Sequence, residues 1–245
     1  NEILAKKSEN NLKNLNFFKS VKSTIIDGKN QNSKVINYEL VEKPTGELTA
    51  GAGVGTGGGS FFFGVKENNY LGKGLAVDVN ANISTDTLKG KFSVTNPNYK
   101  NSDKSLSFNV QAIEIDRIAD FGYKTNKSGL EIGTKFEYLD DLNLGVGARS
   151  FVEKIETDAT ASARQKKQAG NYFDTFVNFD FDYDKRNQRF RPSDGFRSSY
   201  NLDLPLISDN YTLTNTYNYK YYTSLYENII SNISLLLKSA VSITG

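Results

Sequence analysis

From Gly74 onward the sequence alternates apolar and polar side chains with a period of two. Only a β-strand sends successive side chains to opposite faces, so the pattern excludes a helical fold for most of the chain. In a strand over 75–83, Leu75, Val77, Val79, Ala81 and Ile83 share one face; Ala76, Asp78, Asn80 and Asn82 share the other. Leu106, Phe108, Val110 and Ala112 likewise oppose Ser105, Ser107, Asn109 and Gln111. Over 130–138, Leu130, Ile132, Thr134, Phe136 and Tyr138 oppose Glu131, Gly133, Lys135 and Glu137. Over 142–149, Leu142, Leu144, Val146 and Ala148 oppose Asn143, Gly145, Gly147 and Arg149. Over 173–183, Phe173, Val177, Phe179, Phe181 and Tyr183 oppose Asp174, Asn178, Asp180 and Asp182. Further strands are expected over 196–204, 211–222 and 229–244.

Two architectures alternate in this way. A soluble β-sandwich turns its polar face to water, and a transmembrane barrel turns its apolar face to lipid and its polar face to a lumen. Three features favour the barrel. Runs of about ten residues suit a tilted membrane strand better than a soluble strand of about six. Short turns such as Leu139-Asp140-Asp141 alternate with long polar loops such as 156–170. Tyr217, Tyr219, Tyr221, Tyr222 and Tyr226 crowd strand ends, as interfacial girdles do. A mean hydropathy of −0.50 together with 12% aromatic residues fits a sheet that is apolar on one face only. On this reading Val77, Val79, Phe108, Val110, Ile132, Phe136, Leu144, Val177, Phe179 and Leu235 face outward. Asp78, Asn109, Glu131, Lys135, Arg149, Asp180, Asp182 and Lys238 face the lumen.

The first 44 residues read differently. Ile3, Leu4, Leu12, Leu15 and Phe18 fall near one face of a helix over 1–19. Two short strands over 21–26 and 34–41 flank the turn signal Asp27-Gly28-Lys29-Asn30. One helix and one hairpin bury little core, so this segment reads as a domain lacking a strand and a helix. Asn1 opens directly on the helical pattern with no signal peptide, which suggests an internal piece of an exported protein. Glu42-Lys43-Pro44-Thr45-Gly46-Glu47-Leu48 forms the joint. Pro44 cannot donate a ladder hydrogen bond, so the preceding strand cannot simply run on.

Little in the chain can carry chemistry. It has no Cys and no His, which removes most zinc sites, thiol catalysis and His-based acid–base chemistry. A net charge of +2 over 245 residues, with no polybasic run, disfavours nucleic acid. Gly53, Gly55 and Gly58 can be forced into a dinucleotide fingerprint, but Phe61-Phe62-Phe63 and more strand pattern follow where a helix must open. Asp180, Asp182 and Asp184 share a strand face without the turn glycine and distal glutamate of a calcium loop. They read as a solvated lumen face paired with Arg or Lys from neighbouring strands. Lys166 and Lys167, beside Arg164, read as a solvated loop tip.

Four segments together resemble the BamA family, the central component of the outer-membrane β-barrel assembly machinery. Glu42-Lys-Pro-Thr-Gly-Glu-Leu48 is similar to the family's join between its last periplasmic POTRA domain and first barrel strand. Asn69-Tyr-Leu-Gly-Lys-Gly74 resembles the turn between barrel strands two and three, and Phe92-Ser-Val-Thr-Asn-Pro-Asn-Tyr99 lies near the end of strand four. Tyr183-Asp-Lys-Arg186 with Arg191-Pro-Ser-Asp-Gly-Phe196 resembles the family's D-x-R…P-x-x-G segment between strands eight and nine, carried here by Asp184, Arg186, Pro192 and Gly195. Upstream, 11–21 is similar to the POTRA pattern of a helix ending in an aromatic residue and then a strand.

The resemblance implies a mainly β fold: an open, partial transmembrane antiparallel barrel of about eleven strands over 45–245, preceded by a truncated α/β POTRA domain over 1–44. The family's V-R-G-F loop and closing strand would lie beyond Gly245. It also implies a non-enzymatic protein without cofactors, located in the outer membrane with its N-terminal segment in the periplasm. Its function would be to insert outer-membrane barrel proteins. Its partners would be unfolded outer-membrane proteins, accessory assembly lipoproteins, periplasmic chaperones and outer-membrane lipid, with no nucleic acid. The expected working edge is the first barrel strand, formed by Leu48, Thr49, Ala50, Gly51, Ala52, Gly53, Val54, Gly55 and Thr56. An outer-membrane secretion pore, a passive porin and a soluble lipocalin-like barrel are the alternatives.

Overall fold

The computed structural model describes residues 2–28, 33–55, 58–188, 191–209, 211–226 and 229–243. The chain opens with α1 (Glu2–Asn14), then β1 (Phe18–Asp27) and β2 (Lys34–Glu42), which pair antiparallel as a two-stranded sheet. The helix is shorter than the sequence suggests. Leu15 lies beyond it, Phe18 opens β1, and Ile3 is 77% exposed. Ala5 and Val21 are the buried contacts between helix and hairpin. Leu4's side chain, Asn1, Lys29 and Asn30 lie outside the described residues. A complete POTRA-type α/β domain is not present in this segment, because a helix on one hairpin has too little apolar surface to enclose.

Eleven strands follow in one antiparallel sheet, each paired with its sequence neighbours. They are β3 (Gly46–Gly55), β4 (Gly58–Tyr70), β5 (Leu75–Ser84), β6 (Thr87–Asn96), β7 (Ser105–Arg117), β8 (Tyr123–Leu139), β9 (Leu142–Thr157), β10 (Gly170–Asp184), β11 (Gly195–Ile207), β12 (Thr212–Tyr226) and β13 (Ile229–Ser242). The sheet is open, with β3 and β13 as its two edges. Thr244, expected in the last strand, lies outside the described residues. Short helices α2 (Ile118–Phe121) and α3 (Ala163–Lys167) sit in the loops after β7 and β9. Lys166 and Lys167 are solvent-exposed in the β9–β10 loop, as expected, and there form the end of a short helix behind the Ser162 cap.

Register sorts the side chains into two faces. Val79, Phe92, Val110, Leu130 and Ser150 lie side by side on consecutive strands. So do Asp78, Ser93, Asn109, Glu131 and Arg149 on the opposite face. The ten residues expected outward share the first face, and the eight expected inward share the second. The apolar face has no second layer: among the described residues only Ala5, Val21 and Ala161 are buried hydrophobics, while Phe61, Phe108, Ile132 and Leu235 are more than 40% exposed. A sandwich would pack this face against another sheet about 10 Å away. A barrel wall in lipid presents it to acyl chains.

Several strands outrun their sequence estimates, most of all at the end of the sheet where β7 passes to β8 and β9 to β10. β7 runs to Arg117 rather than 112, β8 begins at Tyr123 rather than 130, and β9 runs to Thr157 rather than 148. The extensions carry Glu114, Asp116, Lys124, Asn126, Lys154 and Glu156 on the otherwise apolar face, so the alternation there is lost. These groups pair with each other: Lys124 Nζ lies 2.7 Å from Glu114 and 3.1 Å from Asp116, and Lys154 lies 2.6 Å from Glu156. Along one row of the ladder, Ile83 and Leu88 give way to Glu114, Asn126 and Lys154. Strands in a barrel tilt, so a row of cross-strand neighbours climbs out of the membrane as it proceeds. An Arg in place of Val79 or Phe179 should cost about 2–4 kcal/mol near the bilayer midplane, whereas Asp180→Asn should be mild. Denaturant titration of folding into lipid bilayers measures both; equal effects would place the apolar set away from lipid.

Candidate functional site: the first strand of the sheet

The joint delivers the chain to the sheet edge. Lys43 N donates to Phe17 O at 3.0 Å, and Asn68 Nδ2 donates to Thr45 O at 3.2 Å. Thr45 Oγ1 donates to the Glu67 carboxylate. β3 then pairs with β4 over ten register positions, from Gly46↔Glu67 to Gly55↔Gly58. Its other side pairs with no described strand. β3 starts two residues earlier than 48, and Thr56 lies outside the described residues.

Side chains hold β3 weakly. Leu48, Ala50, Ala52 and Val54 share the apolar face; Leu48 is 74% exposed and Val54 92%. Glu47, Thr49, Gly51, Gly53 and Gly55 share the polar face. A sheet is stabilised mainly through cross-strand side-chain pairs, and glycine contributes none. The one large group over β3 on that face is Phe62. Sequence reading missed it because Phe61-Phe62-Phe63 looks uniformly apolar; strict alternation, with glycine at the facing position, is the signal that separates Phe62.

The motif residues Asp184, Arg186, Pro192 and Gly195 form a separate structure at the turn between β10 and β11. Arg186 Nε and Nη2 each donate to Asp184 at 2.7 Å, with both side chains under 20% exposed. The Asp184 carboxylate, then the Tyr222 hydroxyl, raises the Arg186 pKa above its ordinary value, so the guanidinium stays charged. Gly195 has φ +92°, and a Cβ there would lie 2.2 Å from Lys185 O. Lys185 N donates to Phe196 O at 2.8 Å and closes the turn, while Lys185 Nζ reaches Asp141 Oδ2 at 2.6 Å in the β8–β9 turn. Pro192 sits half-buried in the same loop. β10 lies seven strands from β3, about 34 Å along the sheet. The two groups of expected site residues are therefore not brought together.

The polar face between them is a charge network. Asp182 accepts from Arg197 at 2.7 and 2.9 Å and from Lys135 at 3.2 Å. Arg149 Nη2 reaches Asp203 across β10 at 2.5 Å. Asp180 differs from expectation: its partners are the amides of Asn178 and Asn201, not a cation. Tyr222 also differs, since it turns to the polar face beside Gly195. On the apolar face, Tyr183, Phe196 and Tyr219 form a ring-to-ring chain with centroids 5.7 and 5.8 Å apart, as an interfacial girdle requires.

A one-layer antiparallel wall, apolar outside and salt-bridged inside, defines an outer-membrane-type β-barrel protein. Residues 69–245 match the Omp85 superfamily domain, and the chain belongs to that superfamily. Its members are outer-membrane proteins, and the superfamily covers both insertion and secretion of proteins at that membrane. The fold is similar to that of BamA from Haemophilus ducreyi lacking POTRA domains 1–3, at 21% identity and a TM-score of 0.75, over 97% of this chain and 49% of that one. It is also similar to CdiB from Acinetobacter baumannii, at 10% identity and a TM-score of 0.55, over 98% of this chain and 47% of that one. The chain thus spans about half the length of both. No helix among the described residues is long and apolar enough to cross a membrane.

Gly195→Ala should destabilise the β10–β11 turn by about 1–3 kcal/mol, since the new methyl group meets backbone rather than a movable side chain. Lys185→Ala, which removes an exposed ion pair with Asp141 and a contact with the Tyr183 ring, should change stability less. Denaturant unfolding in lipid compares the two, and equal effects would remove the special role of Gly195.

Proposed function

We propose that the complete protein is a non-enzymatic insertase for outer-membrane barrel proteins, with β3 as the strand that receives the client. The observation that carries this reading is how weakly side chains hold the outermost strand: glycine at three successive lumen-face positions, and only Leu48, Ala50, Ala52 and Val54 on the lipid face. Unpaired backbone groups in lipid cost several kcal/mol each, so such an edge must be matched by another strand. Client strands can supply the match by β-augmentation. Exchange of the neighbour disturbs few side chains, because β3 presents only Leu48, Ala50, Ala52 and Val54 to lipid. In this reading residues 1–44 are the C-terminal part of a periplasmic POTRA domain, and residues 45–245 the N-terminal part of the barrel. Unfolded outer-membrane proteins are the clients, with accessory lipoproteins and periplasmic chaperones as partners. Because the superfamily covers secretion as well as insertion, a second reading is a protein-secretion pore, in which β3 stays closed against a fixed neighbour.

Cysteines separate the two readings, and these 245 residues contain none of their own. In the complete protein, Thr49→Cys or Gly53→Cys should crosslink to a cysteine in the last strand of a stalled client. A disulfide locking β3 to the protein's own last strand should stop client insertion while leaving the barrel folded. Normal insertion by the locked protein, or open conductance without client crosslinks, would favour the pore.

A further inference from the structure

The three phenylalanines of β4 divide between the faces. Phe61 and Phe63 stand on the lipid face, in register with Ala52 and Ala50. Phe62 stands on the lumen face in register with Gly51, and its ring fills the space that a Gly51 side chain would need. A Cβ on Gly51 would lie 2.1 Å from Phe62 Cε1 and 2.4 Å from Cζ. A Cβ on Gly53 would meet only the Ser60 hydroxyl, at 3.3 Å, and one on Gly55 would meet nothing within 4 Å. The lumen side of β3 therefore offers glycines at three successive positions, with an aromatic ring seated on the first.

Gly-rich strands specify their register weakly. A slip of β3 by one residue would exchange its lipid and lumen faces and is excluded. A slip by two keeps the faces. In one direction it sets Phe62 against Thr49, whose side chain would need the ring's place. In the other direction it sets Phe62 against Gly53, where there is again no side chain. Gly51 would then oppose Gly64, and Ala50, Ala52 and Val54 would oppose Val65, Phe63 and Phe61, so these three lipid-face pairs stay apolar, while Leu48 would oppose Glu67 next to the joint. The connection would lengthen from Thr56-Gly57 to Thr56-Gly57-Gly58-Gly59, a composition that tolerates the positive φ values of either turn. The side-chain contacts opposing the slip are Thr45 Oγ1 to Glu67 and Asn68 Nδ2 to Thr45 O at the joint, with two long contacts of 3.5 Å along the ladder, Thr49 Oγ1 to Gly64 O and Ser60 Oγ to Gly53 O.

We propose that Phe62 is the positioning residue of the edge strand and admits two registers of β3 on β4. One is the described register, with the ring over Gly51; the other places it over Gly53 after a slip of about 7 Å towards the joint. The slip carries Pro44 and Thr45 with it, so displacement of the helix–hairpin unit and a change of register at the edge are one motion. Any strand paired to the open side of β3 advances by one side-chain repeat. The two registers depend on β3 and β4 alone, whatever strand occupies that open side, so they can be read without a client.

The test uses the complete protein in outer membranes, in a cysteine-free background. Thr49→Cys with Gly64→Cys reports the described register, and Thr49→Cys with Lys66→Cys reports the slipped one. Both pairs stand on the same face with the same ladder geometry, so their yields are comparable. Both products are expected under reversible oxidation. Gly53→Val should reduce the 49–66 product more than fivefold and leave the 49–64 product unchanged. Adding Phe62→Ala to Gly53→Val should restore the 49–66 product, and adding Phe62→Tyr should not. A purely structural role for Phe62 would change both products together. Absence of the 49–66 product where the 49–64 product forms, or its persistence in Gly53→Val, overturns the proposal.

Discussion

The large sheet answers to one constraint: in lipid, a backbone N–H or C=O has no water to bond, so each must find a partner in the protein. All ten strand-to-strand boundaries within the described sheet are filled by antiparallel neighbours in sequence order. β3 and β13 are the outer strands of that sheet, in a chain that spans about half the length of its structural relatives. At β13, Leu235, Leu237 and Val241 cover the lipid side; at β3 the side chains are small and the lumen side is glycine. The backbone demand is the same at both edges, but the side-chain contribution differs. That difference is what makes β3, rather than β13, the candidate for exchange.

The rest of the wall is built to stay closed. Asp182 binds cations from β8 and β11, and Arg149 spans β10 to reach Asp203, so single charges tie together three or four strands. The Asp184–Arg186 pair and Gly195 tighten the β10–β11 turn, and Lys185 fastens it to the β8–β9 turn. None of these ties reaches β3, whose side-chain links on the lumen face are Phe62 over Gly51 and two long contacts of 3.5 Å, Thr49 Oγ1 to Gly64 O and Ser60 Oγ to Gly53 O. Side-chain ties are thus dense around β8 to β11 and sparse at β3.

The membrane-embedded part of the fold was legible in the sequence, because alternation is strict where one face meets lipid. Val77 to Ile83, Leu106 to Ala112 and Phe173 to Tyr183 all fall on the expected faces. Legibility failed where the solvent was water on both sides. At the far ends of β7, β8 and β9 charges stand on both faces and the alternation changes phase, as where Ile113 and Ile115 follow Ala112, so the pattern no longer continues the same strand. The helix boundary failed because Leu15 and Phe18 continue a helical spacing that the chain abandons after Asn14. The motif around Asp184 was legible as residues but not as geometry, since the pairing of Asp184 with Arg186 two positions on is a turn contact and not a ladder contact. The division of labour among three adjacent phenylalanines was hidden by composition and is evident only once register is fixed.

Amide hydrogen exchange along β3 and β9, in the complete protein reconstituted in bilayers, tests the central claim most directly. Those β3 amides that do not bond β4 should exchange at least a hundredfold faster than amides of β9, which is paired on both sides. A client's final strand should slow them towards the β9 rate while leaving β9 itself unchanged. Equal protection of β3 and β9 without client, with no response on addition, would contradict the account.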